Sequence, residues 1–207
     1  MKLKVCGMKY GDNIKEVAKL KPDLMGFVFY TRSKRYVGEH FDLKYLVGLP
    51  KNIDTVGVFV NSTRSYILHK VMRYQLDIVQ LHGDESPEFC RDLRGSVRVM
   101  KAFGLHDDFD MITLDRYKPF CDYFLFDTKT KHYGGSGKKF NWEILKKYDG
   151  ALPFFLSGGI SPENYKEIKK IKWLKPEGID VNSRFELRPG LKDVNELKKL
   201  RHGLYGK

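Results

Sequence analysis

Short apolar runs recur along the whole chain, and most of them end at a polar residue, a cysteine or a glycine. They predict strands at residues 3–6, 24–30, 55–60, 77–81, 97–101, 123–127, 153–157 and 178–181. The runs are nearly continuous in apolar residues, as strands buried on both faces of a parallel sheet are. They begin roughly 20 to 30 residues apart, about the length of one strand–helix unit. Eight such units predict an α/β protein with a (β/α)₈ TIM-barrel fold.

A doubly wound open sheet is the alternative architecture. It more naturally uses five or six strands, and the turn after the first strand lacks the GxGxxG dinucleotide fingerprint. At 207 residues the chain is long enough for one full-sized core and falls at the compact end of the barrel size range. We therefore expect one barrel domain over residues 1–207.

Helices are expected between the strands, with unequal support. The spacing of apolar residues is weak over 41–49 and 105–117 and better over 142–147. Two helix starts carry a capping signal, because Ser86 precedes Pro87 and Ser161 precedes Pro162. The second of these helices is expected to run from Ser161 to about residue 171.

The net charge of +12 suits either a nucleic-acid partner or an anionic substrate. Much of the lysine occurs with glutamate and apolar residues at helical spacing, which is typical of solvated helix faces. No zinc finger or aromatic platform for single strands is present in the sequence, so we expect an anionic small molecule and not a nucleic acid as partner. No apolar run approaches the ~20 residues that span a bilayer, and a strand pattern begins at the N-terminus, so we expect a cytoplasmic protein without a membrane partner.

The three cysteines are Cys6, Cys90 and Cys121, an odd number without CxxC spacing. This pattern argues against a disulfide framework and a structural zinc site. Cys90 and Cys121 are expected to be small buried hydrophobic residues. Cys6 has two interpretations, a core thiol or a thiolate base whose pKa is lowered by nearby cations.

The C-terminal ends of barrel strands share one face, where active sites lie. Polar residues at the predicted strand ends are therefore expected to converge, and they are Cys6, Arg35, His82, Asp127, Gly158, Gly159, Asp180, Asn182 and Ser183. Asp127 either caps a turn or acts as an acid opposite Cys6, a pair that suits proton transfer on a carbon acid. His82 either joins that pair or has a structural role.

The loops after the seventh and eighth strands contain Gly158-Gly159 and Asn182-Ser183. Barrels often bind phosphate with these two loops and a helix N-terminus, because backbone N–H groups there are unobstructed. The alternative is that both loops are turns that only reverse the chain direction. Their position after strands seven and eight favours a phosphate site.

Short motifs along nearly the whole chain resemble the phosphoribosylanthranilate isomerases of tryptophan biosynthesis. They include Lys-Val-Cys-Gly, Ser-Lys-Arg-Tyr, Val-Gln-Leu-His-Gly, Phe-Asp-Thr-Lys, Gly-Gly-Ser-Gly, Leu-Ser-Gly-Gly-Ile and Asp-Val-Asn-Ser, beginning at residues 4, 33, 79, 126, 134, 156 and 180. The resemblance implies an Amadori rearrangement of N-(5-phosphoribosyl)anthranilate without a cofactor, in a monomer or a homodimer.

The resemblance also implies residue roles. Asp127 would be the general acid and Cys6 the general base, with Arg35 near the anthranilate carboxylate. Gly158, Gly159, Asn182 and Ser183 would hold the phosphate, His82 and Asp180 would contact the substrate, and residues 128–137 would close over it.

The eighth loop departs from the family pattern, in which Ser and Gly usually stand where this chain has Asn182 and Arg184. A glycine at that position suggests a positive φ. The closest alternative function is the related histidine-pathway isomerase, which is expected to use two carboxylates where this chain has Cys6 and Asp127. A non-catalytic binder of anions or nucleic acid is the alternative from another class.

Overall fold

Eight parallel strands close into a barrel in the order β1 to β8, and β1 pairs with β8 as well as with β2. The structure is a computed structural model that describes residues 1–128, 141–171 and 173–206. The pairing of β1 with β8 closes the sheet, which confirms the predicted barrel and rules out the open sheet. The strands are β1 Lys2–Val5, β2 Leu24–Val28, β3 Asp54–Phe59, β4 Ile78–Leu81, β5 Arg98–Leu105, β6 Tyr123–Thr128, β7 Phe154–Leu156 and β8 Gly178–Val181.

The outer layer is less regular than the barrel, because several strand connections contain only short helices. The α-helices are α1 Gly11–Ala18, α2 Lys44–Val47, α3 Arg64–Tyr74, α4 Pro87–Arg94, α5 Tyr165–Lys170 and α6 Val194–Tyr205. The 3-10 helices are Met111–Arg116, Lys118–Phe120, Trp142–Lys147 and Ser183–Phe185. The chain also forms a small hairpin from β9 Glu186–Arg188 and β10 Leu191–Lys192.

Three helix predictions need correction. The helix predicted over 41–49 is the single turn Lys44–Val47, and the one predicted over 105–117 is the end of β5 followed by a 3-10 helix. Residues 142–147 also form a 3-10 helix. Low apolar periodicity explains the first two, because a helix without a continuous apolar stripe gains little from packing on the barrel.

One predicted helix cap is confirmed and the other is wrong. Ser86 accepts a hydrogen bond from the N–H of Phe89, with Pro87 in the first turn. Ser161 does not cap α5, which begins only at Tyr165. The side chain of Asn164 instead accepts a hydrogen bond from the N–H of Ser161 and donates to the carbonyl of Gly159, so it stabilises a turn before the helix.

Polarity changes along the inside of the barrel. One interior cluster is wholly apolar and comprises Leu24, Val56, Ile78, Met100, Ala102, Leu125 and Phe155. A second cluster, nearer the C-terminal strand ends, contains Cys6, Val28 and Val58. Among the described residues, Lys4, Gln80, Ser157 and Asp180 are polar and buried. The barrel therefore combines an apolar interior with a polar, buried layer near the strand ends.

A buried ion pair ties three strand ends together on one side of that layer. The Lys101 Nζ lies 3.1 Å from the Glu85 Oε2, and both side chains are 3% exposed. Glu85 also accepts hydrogen bonds from the N–H groups of Asn61 and Gly83. Lys101 donates to the carbonyl of Gly83 as well. The loop that follows β4 is therefore held from both neighbouring strands.

Removing one member of this pair is expected to destabilise the fold. Lys101→Met leaves the Glu85 carboxylate buried without its cation, which costs about 3–5 kcal/mol in comparable cases. The midpoint of urea unfolding should fall accordingly. Lys199→Met, which breaks an exposed pair with Glu196, is the matched control and should leave the midpoint nearly unchanged. Equal midpoints for the two variants would contradict this role of the pair.

Candidate active site

A cavity of about 410 Å³ opens at the C-terminal ends of the strands. Its volume falls within the range of small-molecule sites. All nine residues predicted from the sequence line it, namely Cys6, Arg35, His82, Asp127, Gly158, Gly159, Asp180, Asn182 and Ser183. The barrel thus brings together side chains that are up to 177 residues apart in the chain, counting from Cys6 to Ser183.

Cys6 follows β1 directly and lies beside a buried ion pair. The Lys4 Nζ is 2.7 Å from the Asp180 Oδ1, with the two side chains 0% and 6% exposed. The Lys4 ammonium is also near enough to the Cys6 thiol to affect its ionisation, and Ser157 donates to the other Asp180 oxygen at 3.1 Å. Burial raises the pKa of the Cys6 thiol above its ordinary value, and the Lys4 ammonium opposes that rise.

Gly26 on β2 provides the space for the thiol. A Cβ atom at this position would lie 2.7 Å from the Cys6 Sγ and 3.2 Å from the Cys6 Cα. Any larger residue would push Cys6 away from its place over the cavity. The glycine in Gly26-Phe27-Val28 is therefore a steric requirement of the site.

Asp127 lies near the end of β6 and contacts two neighbours. Its Oδ1 accepts a hydrogen bond from the N–H of Thr128 at 2.7 Å, and its Oδ2 lies 3.4 Å from the His82 Nε2. Gln80 Nε2 lies 2.8 Å from the His82 Nδ1. Because an amide NH₂ can only donate, this arrangement puts the imidazole proton on Nε2, facing Asp127. The carboxylate thus accepts one backbone hydrogen bond and has the His82 imidazole beside its other oxygen.

Arg35 is held by an acid that the sequence analysis did not single out. Its Nε and Nη2 form a fork with the Glu186 carboxylate, with Nε to Oε1 at 2.9 Å and Nη2 to Oε2 at 2.7 Å. Lys192 Nζ lies 2.7 Å from the same Oε1. Arg35 lines the cavity, so this cluster places one guanidinium at its wall.

The Gly158-Gly159 loop has the backbone geometry of an anion-binding turn. Both residues have positive φ angles, 80° and 69°. A Cβ atom at Gly158 would collide with Thr128 and lie 3.0 Å from the Asp127 Oδ1. Within the described residues, the N–H groups of Gly158 and Gly159 donate no hydrogen bond. No helix begins directly behind them, so any anion here would be bound by the turn itself.

The eighth loop accommodates Asn182 and Arg184 without a positive φ at either residue. Lys192 Nζ donates to the Asn182 Oδ1 at 2.7 Å, which orients the amide. Arg184 does not have a positive φ and is exposed, so the glycine common in the family is not required here. The predicted lid at residues 128–137 lies, apart from Thr128, outside the described residues.

Sequence reasoning missed four polar residues of this region, Lys4, Gln80, Glu186 and Lys192. Lys4 comes shortly before Cys6, Gln80 shortly before His82, and Glu186 shortly after Asn182-Ser183. All three therefore lie within or beside the motifs quoted above. Their neighbours in those motifs were the only signal available. Lys192, in the hairpin strand β10, had no signal of its own.

A closed (β/α)₈ barrel with a thiol, a carboxylic acid and an anion-binding turn around one cavity defines a barrel enzyme of acid–base type. The sequence model of N-(5'-phosphoribosyl)anthranilate (PRA) isomerase matches residues 3–202. The chain belongs to this family, and it is an isomerase.

Individual relatives agree over the full length. The N-(5'-phosphoribosyl)anthranilate isomerase of Parabacteroides distasonis is 46% identical over 205 residues, covering 96% of this chain and 90% of the relative. The crystal structure of the Thermotoga maritima phosphoribosyl anthranilate isomerase matches with a TM-score of 0.90 at 36% identity, covering 100% of both chains. A phosphoribosyl anthranilate isomerase in complex with reduced 1-(o-carboxyphenylamino)-1-deoxyribulose 5-phosphate matches with a TM-score of 0.87 at 33% identity, again covering 100% of both chains.

The Lys4 ammonium is expected to control the ionisation of Cys6. Lys4→Met removes the nearest cation and should move the pH midpoint of Cys6 alkylation by iodoacetamide upward, since the thiolate is the reactive form. Peptide mass spectrometry separates Cys6 from the other two cysteines. Lys4→Arg keeps a cation at this position, so the pH midpoint of Cys6 alkylation should stay close to that of the wild type. An unchanged midpoint in Lys4→Met would contradict the electrostatic role of Lys4.

Proposed function

We propose that this cavity catalyses the Amadori rearrangement of N-(5-phosphoribosyl)anthranilate to 1-(2-carboxyphenylamino)-1-deoxyribulose 5-phosphate, with Asp127 as general acid and Cys6 as general base. The observation that carries the proposal is that the thiol at the end of β1 and the carboxyl at the end of β6 line one cavity. Neither group needs a partner from outside the barrel. The reaction is a step of tryptophan biosynthesis.

The proton movements follow from these two positions. Asp127 protonates the ring oxygen of the furanose, the C1′–O bond breaks, and a protonated Schiff base forms at C1′. The Cys6 thiolate removes the proton from C2′, and the electrons neutralise the iminium nitrogen to give an enolamine. C1′ then gains a proton and the C2′ hydroxyl loses one, giving the ketone. Exchange with solvent restores the proton on Asp127 and removes the one on Cys6.

The surroundings of each group support its role. Lys4 is the cation that stabilises the Cys6 thiolate against the cost of burial. His82, whose Nε2 lies 3.4 Å from the Asp127 Oδ2, would orient the Asp127 carboxyl. His82 and Asp180 are also proposed to contact the sugar, because both line the cavity.

The two anionic groups of the substrate have separate proposed sites. Arg35 would bind the anthranilate carboxylate through its guanidinium. The phosphate would lie against Gly158 and Gly159 on one side and Asn182 and Ser183 on the other. The N–H groups of the glycine turn support this assignment, because they donate no hydrogen bond to any of the described residues.

The histidine-pathway isomerase is less well supported, because its expected pair of carboxylates would need an acid where this chain has Cys6. The remaining expectations, namely a single domain over 1–207, a cytoplasmic location, no cofactor, no nucleic-acid partner and a monomer or homodimer, form part of the same proposal. None of the described helices is long and apolar enough to cross a membrane.

The test follows loss of substrate fluorescence with wild type, Cys6→Ser and Asp127→Asn. Both variants should lose at least roughly two orders of magnitude in kcat, since each removes one proton-transfer group. Circular dichroism should show an intact fold. Cys90→Ser and Asp115→Asn change the same residue types outside the cavity and should keep wild-type turnover. Turnover that survives Cys6→Ser or Asp127→Asn would remove that residue from its role.

A further inference from the structure

Arg35, Glu186 and Lys192 form a charged cluster that the proposed proton transfers do not use. Glu186 lies between the two cations, with its Oε1 2.7 Å from the Lys192 Nζ and its Oε2 2.7 Å from the Arg35 Nη2. The side chains of Glu186 and Lys192 are 4% and 0% exposed, whereas Arg35 is 15% exposed. Arg35 is the member of the cluster that lines the cavity.

The fork with Glu186 fixes which edge of Arg35 is available. Glu186 occupies the Nε and Nη2 side of the guanidinium, and within the described part of the chain the Nη1 group makes no hydrogen bond. A guanidinium is planar and rigid, so binding one edge determines where the other points. A lone arginine on a flexible stem would sample many orientations and lose rotamer entropy on binding.

The hairpin β9–β10 supports Glu186 from behind. Lys192 binds both Glu186 and Asn182, at 2.7 Å each, and the N–H of Gly190 donates to the Glu186 Oε1 at 3.0 Å. Burial lowers the pKa of Lys192 to about 8, although Glu186 opposes this. With Lys192 protonated the cluster carries a net charge of +1, and it presents that charge to the cavity through Arg35.

The packing around Arg35 leaves little room for another position. Gly7, the residue after Cys6, has a φ of 75°, and a Cβ atom there would lie 2.7 Å from both the Arg35 Cδ and the Asn182 Oδ1. The arginine stem therefore runs directly over the backbone next to the thiol. Its orientation is determined by this contact at the stem and by Glu186 at the head group.

We infer that Glu186 is a positioning residue that aims the free edge of Arg35 at the carboxylate of the substrate's aryl amine, and so makes the site selective for an anionic aryl amine over a neutral one. This inference rests on the proposed function, in which Arg35 binds that carboxylate. Glu186 itself does not touch the substrate.

Positioning and simple charge predict opposite effects of Glu186→Gln. The substitution removes one negative charge next to Arg35, so electrostatics alone would strengthen binding of an anionic substrate and lower KM. If Glu186 positions Arg35, loss of the fork weakens the charge-assisted hydrogen bond between Arg35 and the substrate carboxylate. In that case kcat/KM falls roughly tenfold or more, mainly because KM rises.

The experiment compares two substrates, N-(5-phosphoribosyl)anthranilate and N-(5-phosphoribosyl)aniline, which lacks the carboxylate. For Glu186→Gln, kcat/KM should fall with the first substrate and stay within about twofold with the second. Glu177→Gln, which changes an exposed acid before β8, is the control and should alter neither. If Glu186→Gln does not fold, Glu186→Asp provides the same comparison, because it keeps the charge and shortens the reach.

Arg35→Ala separates failure of this inference from failure of the proposed function. Arg35→Ala should lower kcat/KM with the anthranilate substrate and not with the aniline substrate. Adding Glu186→Gln to Arg35→Ala should not lower kcat/KM with the anthranilate substrate any further. If Arg35→Ala lowers kcat/KM equally with both substrates, Arg35 does not bind the anthranilate carboxylate. If Arg35→Ala is selective but Glu186→Gln is unselective, has no effect or lowers KM, Glu186 is not a positioning residue.

Discussion

The ion pair between Lys4 and Asp180 lies across the seam where the barrel closes, and the site depends on it. The two residues are 176 positions apart in the chain but are direct neighbours in the pairing of β1 with β8. A buried charge without a partner is strongly destabilising, so each of the two requires the other. The same ammonium acts electrostatically on the Cys6 thiol, which connects closure of the fold to the chemistry of the site.

The lysines of this basic chain differ in their surroundings. Many lysines lie on exposed helix faces, as the sequence pattern indicates. Lys4, Lys101 and Lys192 are buried instead, and each binds a carboxylate at the C-terminal end of the barrel. Long aliphatic stems make such burial possible, and the paired carboxylate offsets part of the desolvation cost. These three pairs join β1 to β8, β5 to the loop after β4, and β9 to β10.

The small hairpin after β8 is an element outside the barrel that holds a side chain of the cavity wall in place. Its two strands contribute Glu186 and Lys192 to positions behind Arg35. The loop before it tolerates Arg184 in place of the glycine usual in the family, because its backbone there does not need a positive φ. The changes in this loop therefore leave the supporting charges intact.

The sequence by itself determined the barrel, because eight apolar runs at regular spacing leave few other ways to bury their residues. It also determined the cavity residues, since strand ends in a parallel barrel must converge, and Cys6 and Asp127 stand at such ends. It did not determine every helix: Ser161 carries a capping signal, yet Asn164 forms a local turn that delays α5. Only the tertiary structure revealed Lys4 and Glu186 as site residues. Their burial depends on partners brought close by the fold, and local sequence patterns carry no information about such distant partners.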